Sequence, residues 1–199
     1  LSFSDPADVA RRVESWTGAK FRALRSEAAR QAFDAIRGRL LEALADAPEP
    51  DRALARWGAV LAHLPTGINL FRLLEARPAL LERLAAILSL APTLADRLAR
   101  RPELFDPLID TGASELPGSV QEIVADLARI DVGDNYEALL DRVRQRVGEW
   151  RFVLGVQLIE GARDPREIGR ALARVAEAAL AVLGKAAEAE FAHKHGRFP

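Results

Sequence analysis

Asp164-Pro165-Arg166-Glu167-Ile168-Gly169-Arg170-Ala171-Leu172-Ala173-Arg174-Val175 opens the stretch that decides the fold. Asp164-Pro165 restarts the chain, and a proline is tolerated in the first turn of a helix because its missing N–H has no helical partner there. Ile168, Leu172, Val175, Ala179, Val182 and Ala186 then recur three or four residues apart on one stripe. That is the period of an amphipathic helix, and nothing interrupts it before His195. Upstream, Tyr136, Leu139/Leu140, Val143, Val147, Trp150, Leu154 and Leu158 form a seam near heptad spacing, which Gly161 stops. A short loop between two amphipathic helices makes an antiparallel hairpin. The spacing therefore predicts a long hairpin of residues 136–160 and 165–195. Each stripe must bury against something, because packing rather than propensity stabilises most helices.

The rest of the chain carries the same period with closer punctuation. Ser4-Asp5-Pro6 supplies a cap and a first-turn proline for a helix running to about Trp16 and ended by Gly18. Ser26 caps a longer helix whose buried face is Phe33, Ile36, Leu40 and Leu44, and Pro48-Glu49-Pro50 breaks it. Asp51 opens the next, through Trp57 and Leu61, which stops before Pro65. From Gly67 to Asp110 several short helices are separated by prolines. Arg77-Pro78 and Arg101-Pro102 each precede similar apolar patterns, which reads as one helix-start signal used twice rather than as a solenoid repeat. Thr111 to Ser119, with Gly112, Pro117 and Gly118, is the best internal boundary. A helix from about Val120 to Ile130 and the turn Asp131-Val132-Gly133-Asp134 lead into the hairpin. Trp16, Trp57 and Trp150 fall on apolar stripes and are assigned to the core. The expectation is an all-α chain: short, proline-punctuated helices over 1–112, then a helical bundle over 113–199 that contains the hairpin.

Composition agrees with a globular helical chain. Of 199 residues, 49% are hydrophobic, and 28 basic residues nearly balance 29 acidic ones. No net field draws the chain to nucleic acid or to an anionic membrane. The basic residues are nearly all Arg, a preference attributed here to codon bias. Cysteine is absent, which excludes disulfides, thiolate nucleophiles and zinc ribbons. Methionine is absent too, so the chain is expected to be part of a longer reading frame, and its first residues do not read as a signal peptide. Apolar runs such as Leu84 to Leu90 fall far short of the ~20 residues that span a bilayer.

A search for catalytic constellations assigns no catalytic, cofactor-binding or metal-ligating residue. Gly184-Lys185 lacks the glycines and the Ser/Thr of a phosphate loop and reads as mid-helix. Ser114 and Ser119 lie in a linker-like stretch without a nucleophile elbow. His193 and His195 point about 200° apart on a helix of 3.6 residues per turn, so they cannot share a metal. His63 reads as a cation at a helix end. Glu188/Glu190 diverge, and Asp131/Asp134 bracket a turn, so neither pair suits a two-metal site. Arg11-Arg12 and Arg100-Arg101 have acidic neighbours and read as solvated helix faces.

Leu64-Pro65-Thr66-Gly67-Ile68-Asn69-Leu70-Phe71, Ala91-Pro92 and Arg100-Arg101-Pro102-Glu103-Leu104 follow one another in a distinctive order. With Arg151-Phe152-Val153-Leu154-Gly155-Val156-Gln157-Leu158-Ile159-Glu160-Gly161 and Asp164-Pro165, this order resembles the bacterial glutamine synthetase adenylyltransferase, or adenylyl-removing, enzymes. The likeness covers essentially the whole chain. It implies a parent with two nucleotidyltransferase halves, one removing AMP from a tyrosine of glutamine synthetase and the other attaching it from ATP with magnesium. PII-type signal proteins and glutamine bias that balance. Each half is marked by a glycine-rich stretch followed by Asp-x-Asp, and neither element occurs here. The resemblance thus implies the helical region between the halves, ending at Phe198-Pro199 just before the second one. It also implies a non-catalytic connecting and regulatory role in the cytoplasm, with the flanking halves, glutamine synthetase and a PII-type protein as partners, and with no nucleic acid or membrane. The alternatives are a free-standing helical adaptor for a protein partner and an enzyme whose site the sequence does not disclose.

Overall fold

The computed structural model describes residues 3–17, 21–109, 115–130, 132–133 and 135–196. All regular structure among them is helical. The chain divides into two compact units, Leu1–Ile109 and Asp110–Pro199.

The first unit contains α1 (Pro6–Thr17), α2 (Glu27–Ala45), α3 (Pro50–His63), α4 (Ile68–Ala76), α5 (Pro78–Leu90), α6 (Pro92–Arg100) and α7 (Phe105–Ile109). Single 3₁₀ turns, Arg22–Leu24 and Pro102–Leu104, precede α2 and α7. Asp5 caps α1 by accepting from the N–H groups of Ala7 (2.9 Å) and Asp8 (3.1 Å). Ser26 caps α2, its Oγ accepting from Ala29 N–H at 3.2 Å. The predicted stop at Gly18 lies outside the described residues. Helix α3 begins at Pro50 rather than Asp51, with proline in its first turn.

Four elements start the same way. The residues before Pro50, Pro78, Pro92 and Pro102 all have φ between −134° and −128° and ψ between 74° and 82°. The proline ring bars the preceding residue from the helical region, so Arg77-Pro78, Ala91-Pro92 and Arg101-Pro102 each end one helix and fix the turn into the next element, while Glu49-Pro50 starts α3 after α2 has already ended at Ala45. After Pro78 comes a 13-residue helix and after Pro102 only a three-residue 3₁₀ turn, so the two similar starts do not make a structural repeat.

The core of this unit is aromatic. Phe33 on α2 lies 6.2 Å edge-on to Trp16, 6.4 Å stacked on Trp57 and 5.4 Å tilted against Phe71, centroid to centroid. Helix α2 packs on α4 and α5, and α3 packs on α5 and α6. Gly67 closes the approach between α4 and the first 3₁₀ turn: its N–H donates to Ala23 O at 3.2 Å. A Cβ at this position would sit 2.7 Å from that same oxygen and run into the buried Phe71 ring. The arginines also have structural roles that codon bias does not explain. Arg56 donates to Leu88 O (2.6 Å), Arg83 to Leu108 O (3.3 Å) and Arg77 to Ile109 O (3.3 Å), satisfying carbonyls at the ends of α5 and α7.

The second unit contains α8 (Val120–Ala128), α9 (Tyr136–Ile159) and α10 (Pro165–His195). Ser119 and Glu122 form a reciprocal capping box on α8, with Glu122 N–H donating to Ser119 Oγ (3.3 Å) and Ser119 N–H to Glu122 Oε2 (2.6 Å). The hydrogen bond from Ser119 N–H, reinforced by the Ser119 hydroxyl, holds the Glu122 carboxyl below its ordinary pKa. Helix α8 stops at Ala128, short of the expected Ile130. Asn135 caps α9 through Ala138 N–H (2.9 Å), and Asp164 caps α10 through Arg166 N–H (2.7 Å).

Helix α9 closes in a Schellman motif. Ala162 N–H donates to Gln157 O (3.1 Å) and Gly161 N–H to Leu158 O (3.2 Å). Gly161 stands at φ 62°, a left-handed conformation that favours glycine. Val143 from α9 and Val175 and Ala178 from α10 close one core cluster with Ile123 and Leu127 of α8, while Leu154 meets Ile168 and Ala171 in another. Arg174 donates to the carbonyls of Gly118 and Pro117, both at 2.8 Å, tying the segment before α8 to α10.

Two expectations for α9 need correction. Leu158 is 46% exposed and lies off the seam. The alternation of four and three residues through 143, 147, 150 and 154 next reaches 157, and Gln157 is the buried residue there. Trp150 sits at the edge of the core rather than inside it: it is half-buried, packs against the cluster around Val143 and Val175, and carries the Arg146 guanidinium 4.8 Å from its ring centroid. Arg146 is held in turn by Asp126 and Glu149, each at 3.2 Å. No single helix among the described residues is long and apolar enough to cross a membrane.

Candidate functional site

A concave polar surface lies where the start of α9 meets the last turns of α10. Asn135, Tyr136 and Leu139 face Glu190, His193 and Lys194 across a cleft of about 640 Å³. Tyr136 takes its place there because Asn135 caps α9 beside it. Glu190 and Lys194 share a helix face one turn apart, and their ion pair measures 2.7 Å. The hydrogen bond from Lys194 lowers the Glu190 pKa, and the bond to Glu190 raises that of Lys194. Both shifts oppose proton transfer near neutral pH: the Glu190 carboxylate is a weaker base and the Lys194 ammonium a weaker acid. The cleft can hold a polar group by charge and hydrogen bonding.

The residues weighed from sequence are dispersed. Gly184-Lys185 sits within α10, where backbone N–H groups are committed to helical hydrogen bonds. Ser119 is a helix cap, while Ser114, Asp131 and Asp134 lie outside the described residues. His63 Nδ1 lies 2.9 Å from Ala59 O at the end of α3. His193 and His195 are both exposed in the last turn of α10. Glu188 is exposed, and its neighbour Glu190 is engaged by Lys194. Arg11 and Arg12 pair with Asp8 at 3.3 and 2.6 Å, and Arg101 pairs with Glu103 at 3.0 Å. A backbone hydrogen bond at Glu103, with the hydrogen bond from Arg101 second to it, lowers the Glu103 pKa. Among the described residues no three His, Asp or Glu side chains converge.

Comparison with known proteins gives the family. The family model for glutamate-ammonia ligase adenylyltransferase matches residues 81–199. This chain belongs to that family. It is 39% identical over 198 residues to the bifunctional glutamine synthetase adenylyltransferase/adenylyl-removing enzyme of Mesorhizobium japonicum, a match covering 98% of this chain and 20% of that protein. The proteins of the same description from Rhizobium meliloti and Brucella suis are 35% and 34% identical, covering 100% and 99% of this chain and 20% of each relative. The chain thus spans about a fifth of the length of the curated relatives it matches. No solved structure matches it.

Magnesium and ATP, which membership in the adenylyltransferase family implies for the whole enzyme, do not fit the described residues. A magnesium ion needs convergent oxygen ligands, and the carboxylates here are engaged in caps and surface ion pairs or stand apart from one another. The one Gly-Lys pair has no free amides to offer a phosphate.

Proposed function

We propose that this chain is a non-catalytic connecting and regulatory helical region of the bifunctional enzyme that adenylylates and deadenylylates glutamine synthetase. The observation that carries this reading is the extent of the likeness, which runs through the whole chain yet covers 20% of the relative. An all-helical segment of a two-activity enzyme, with Ser119, Glu122, Asn135 and Asp164 engaged in helix caps, suits a part that positions other parts. The two nucleotidyltransferase halves of the same cytoplasmic polypeptide are its immediate partners, and they hold the ATP and the magnesium. Through the parent it meets glutamine synthetase and a PII-type signal protein, and nucleic acid and membrane have no role.

Helix α10 gives the regulatory half of the proposal a physical basis. Its 31 residues make a stiff element roughly 46 Å long at 1.5 Å per residue. Val175 and Ala178 lock it to α8 and α9, so a change of packing in that cluster moves the helix as a body.

The isolated chain tests the non-catalytic half. Incubated with labelled ATP, magnesium and glutamine synthetase, it is expected to give no labelled product above background, and with adenylylated glutamine synthetase to release no AMP. Turnover that survives repurification would defeat the proposal.

A further inference from the structure

The chain arriving from the first unit is gripped before it enters α8. Its described residues, 115–119, form no regular structure, yet two adjacent contacts fix them to α10. Leu116 packs on the cluster of Leu154, Ile168 and Ala171. Just beyond it Arg174 takes hold of the backbone. Its Nε donates to Gly118 O and its Nη2 to Pro117 O, each at 2.8 Å, across 56 and 57 residues of sequence. Those two donors share one edge of the planar guanidinium, so a single side chain holds two successive carbonyls in a fixed orientation. Gly118 makes room for the arrangement, because a Cβ there would run into the Glu122 carboxylate that closes the α8 capping box.

Arg174 differs from the other arginines that bind carbonyls. Arg56, Arg77 and Arg83 serve the C-terminal ends of α5 and α7, where a cation complements the helix dipole. Pro117 and Gly118 belong to no helix. They lie at the N-terminal end of α8, the end at which the dipole disfavours a cation. The guanidinium is therefore placed for this strap of chain and against the local field of the helix. Its position along α10 is equally specific. Ile168 and Ala171 before it belong to one core cluster, and Val175 and Ala178 after it to the other. We infer that Arg174 is a clasp that makes the chain leaving the first unit follow α10, so that a displacement of α10 in the full-length enzyme is passed to the connection between the two units. The inference rests on the reading of the chain as a connecting and regulatory region, and it assigns the coupling to one residue outside both core clusters.

Because the chain has no cysteine of its own, a nitroxide pair can be placed at Glu115→Cys and Ala181→Cys, both at exposed positions. The spread of label-to-label distances, read by pulsed electron spin resonance, reports whether strap and helix move together. Wild type is expected to give one narrow distribution, as is Arg170→Met, a control at an exposed arginine about one turn away. Arg174→Met is expected to widen the distribution at least twofold with the helical circular dichroism unchanged. Arg174→Lys, which offers a point charge instead of a fork, is expected to fall between, and it decides the matter if the methionine variant loses helix. A wild-type width in Arg174→Met, or in Arg174→Lys where the methionine variant has unfolded, would overturn the clasp. In the full-length enzyme, at thermal stability matched to wild type, Arg174→Met is expected to change the ratio of adenylylation to adenylyl removal at least threefold. An unchanged ratio beside a widened distribution would overturn the coupling and leave Arg174 a structural residue. Adenylyl transfer by the isolated chain would end the non-catalytic reading and leave the distance result standing. A narrow distribution in Arg174→Met would end the clasp and leave that reading intact.

Discussion

Phe33→Ala is expected to destabilise the first unit by about 3–5 kcal/mol, the usual cost of deleting a buried ring. Phe33 is fully buried and contacts Trp16, Trp57 and Phe71, which come from three other helices. Each ring pair adds about 0.5–1.5 kcal/mol beyond the area it buries. The cavity cannot close without moving α1, α3 and α4 together, so the cost belongs at the upper part of the range. Urea unfolding followed by tryptophan fluorescence gives the value, since Trp16 and Trp57 report on this unit. A loss below about 1 kcal/mol would show that the aromatic cluster does not organise the unit.

Leu154→Ala is expected to cost about 2–5 kcal/mol in the second unit. Leu154 is fully buried against Ile168 and Ala171, with Leu172 and Leu116 packed around them. Four residues on, Leu158 is 46% exposed, so Leu158→Ala should fall within about 0.5 kcal/mol of wild type. Hydrogen exchange of the α9 and α10 amides, compared across the two variants, measures both. Equal losses would mean that the boundary between buried seam and solvent has been misplaced.

The contrast between these leucines marks how far periodicity could take the sequence. Helices were legible because their ends are written in proline, serine, asparagine, aspartate and glycine, whose effects are local: Ser26, Ser119, Pro78, Pro165 and Gly161 act within one turn of themselves. The aromatic core was legible in part, as Phe33 and Trp57 lie on clear stripes. Burial at Gln157 is not legible, because a polar side chain carries no apolar signal while Leu158 beside it does. Nor were the arginine caps, since Arg56 and Leu88 are brought together only by the packing of α3 on α5. The cleft at Tyr136 and Lys194 joins residues from the opposite ends of a helix pair, and no local spacing encodes that meeting.

The regulatory half of the proposal requires more than adjacency: coupling between sites needs an element with two arrangements that both sites bias. In the proposal that element is α10 with the cluster around Val175, which is 1% exposed between α8 and α9. The direct measurement places Val175→Ala in the full-length enzyme and compares adenylylation and adenylyl removal with wild type at similar thermal stability, with and without glutamine and the PII-type protein. The account predicts that basal transfer persists while the ratio of the two activities, and its response to the effectors, shifts. A parallel fall in both activities with an unchanged effector response would contradict it and reduce the region to a scaffold.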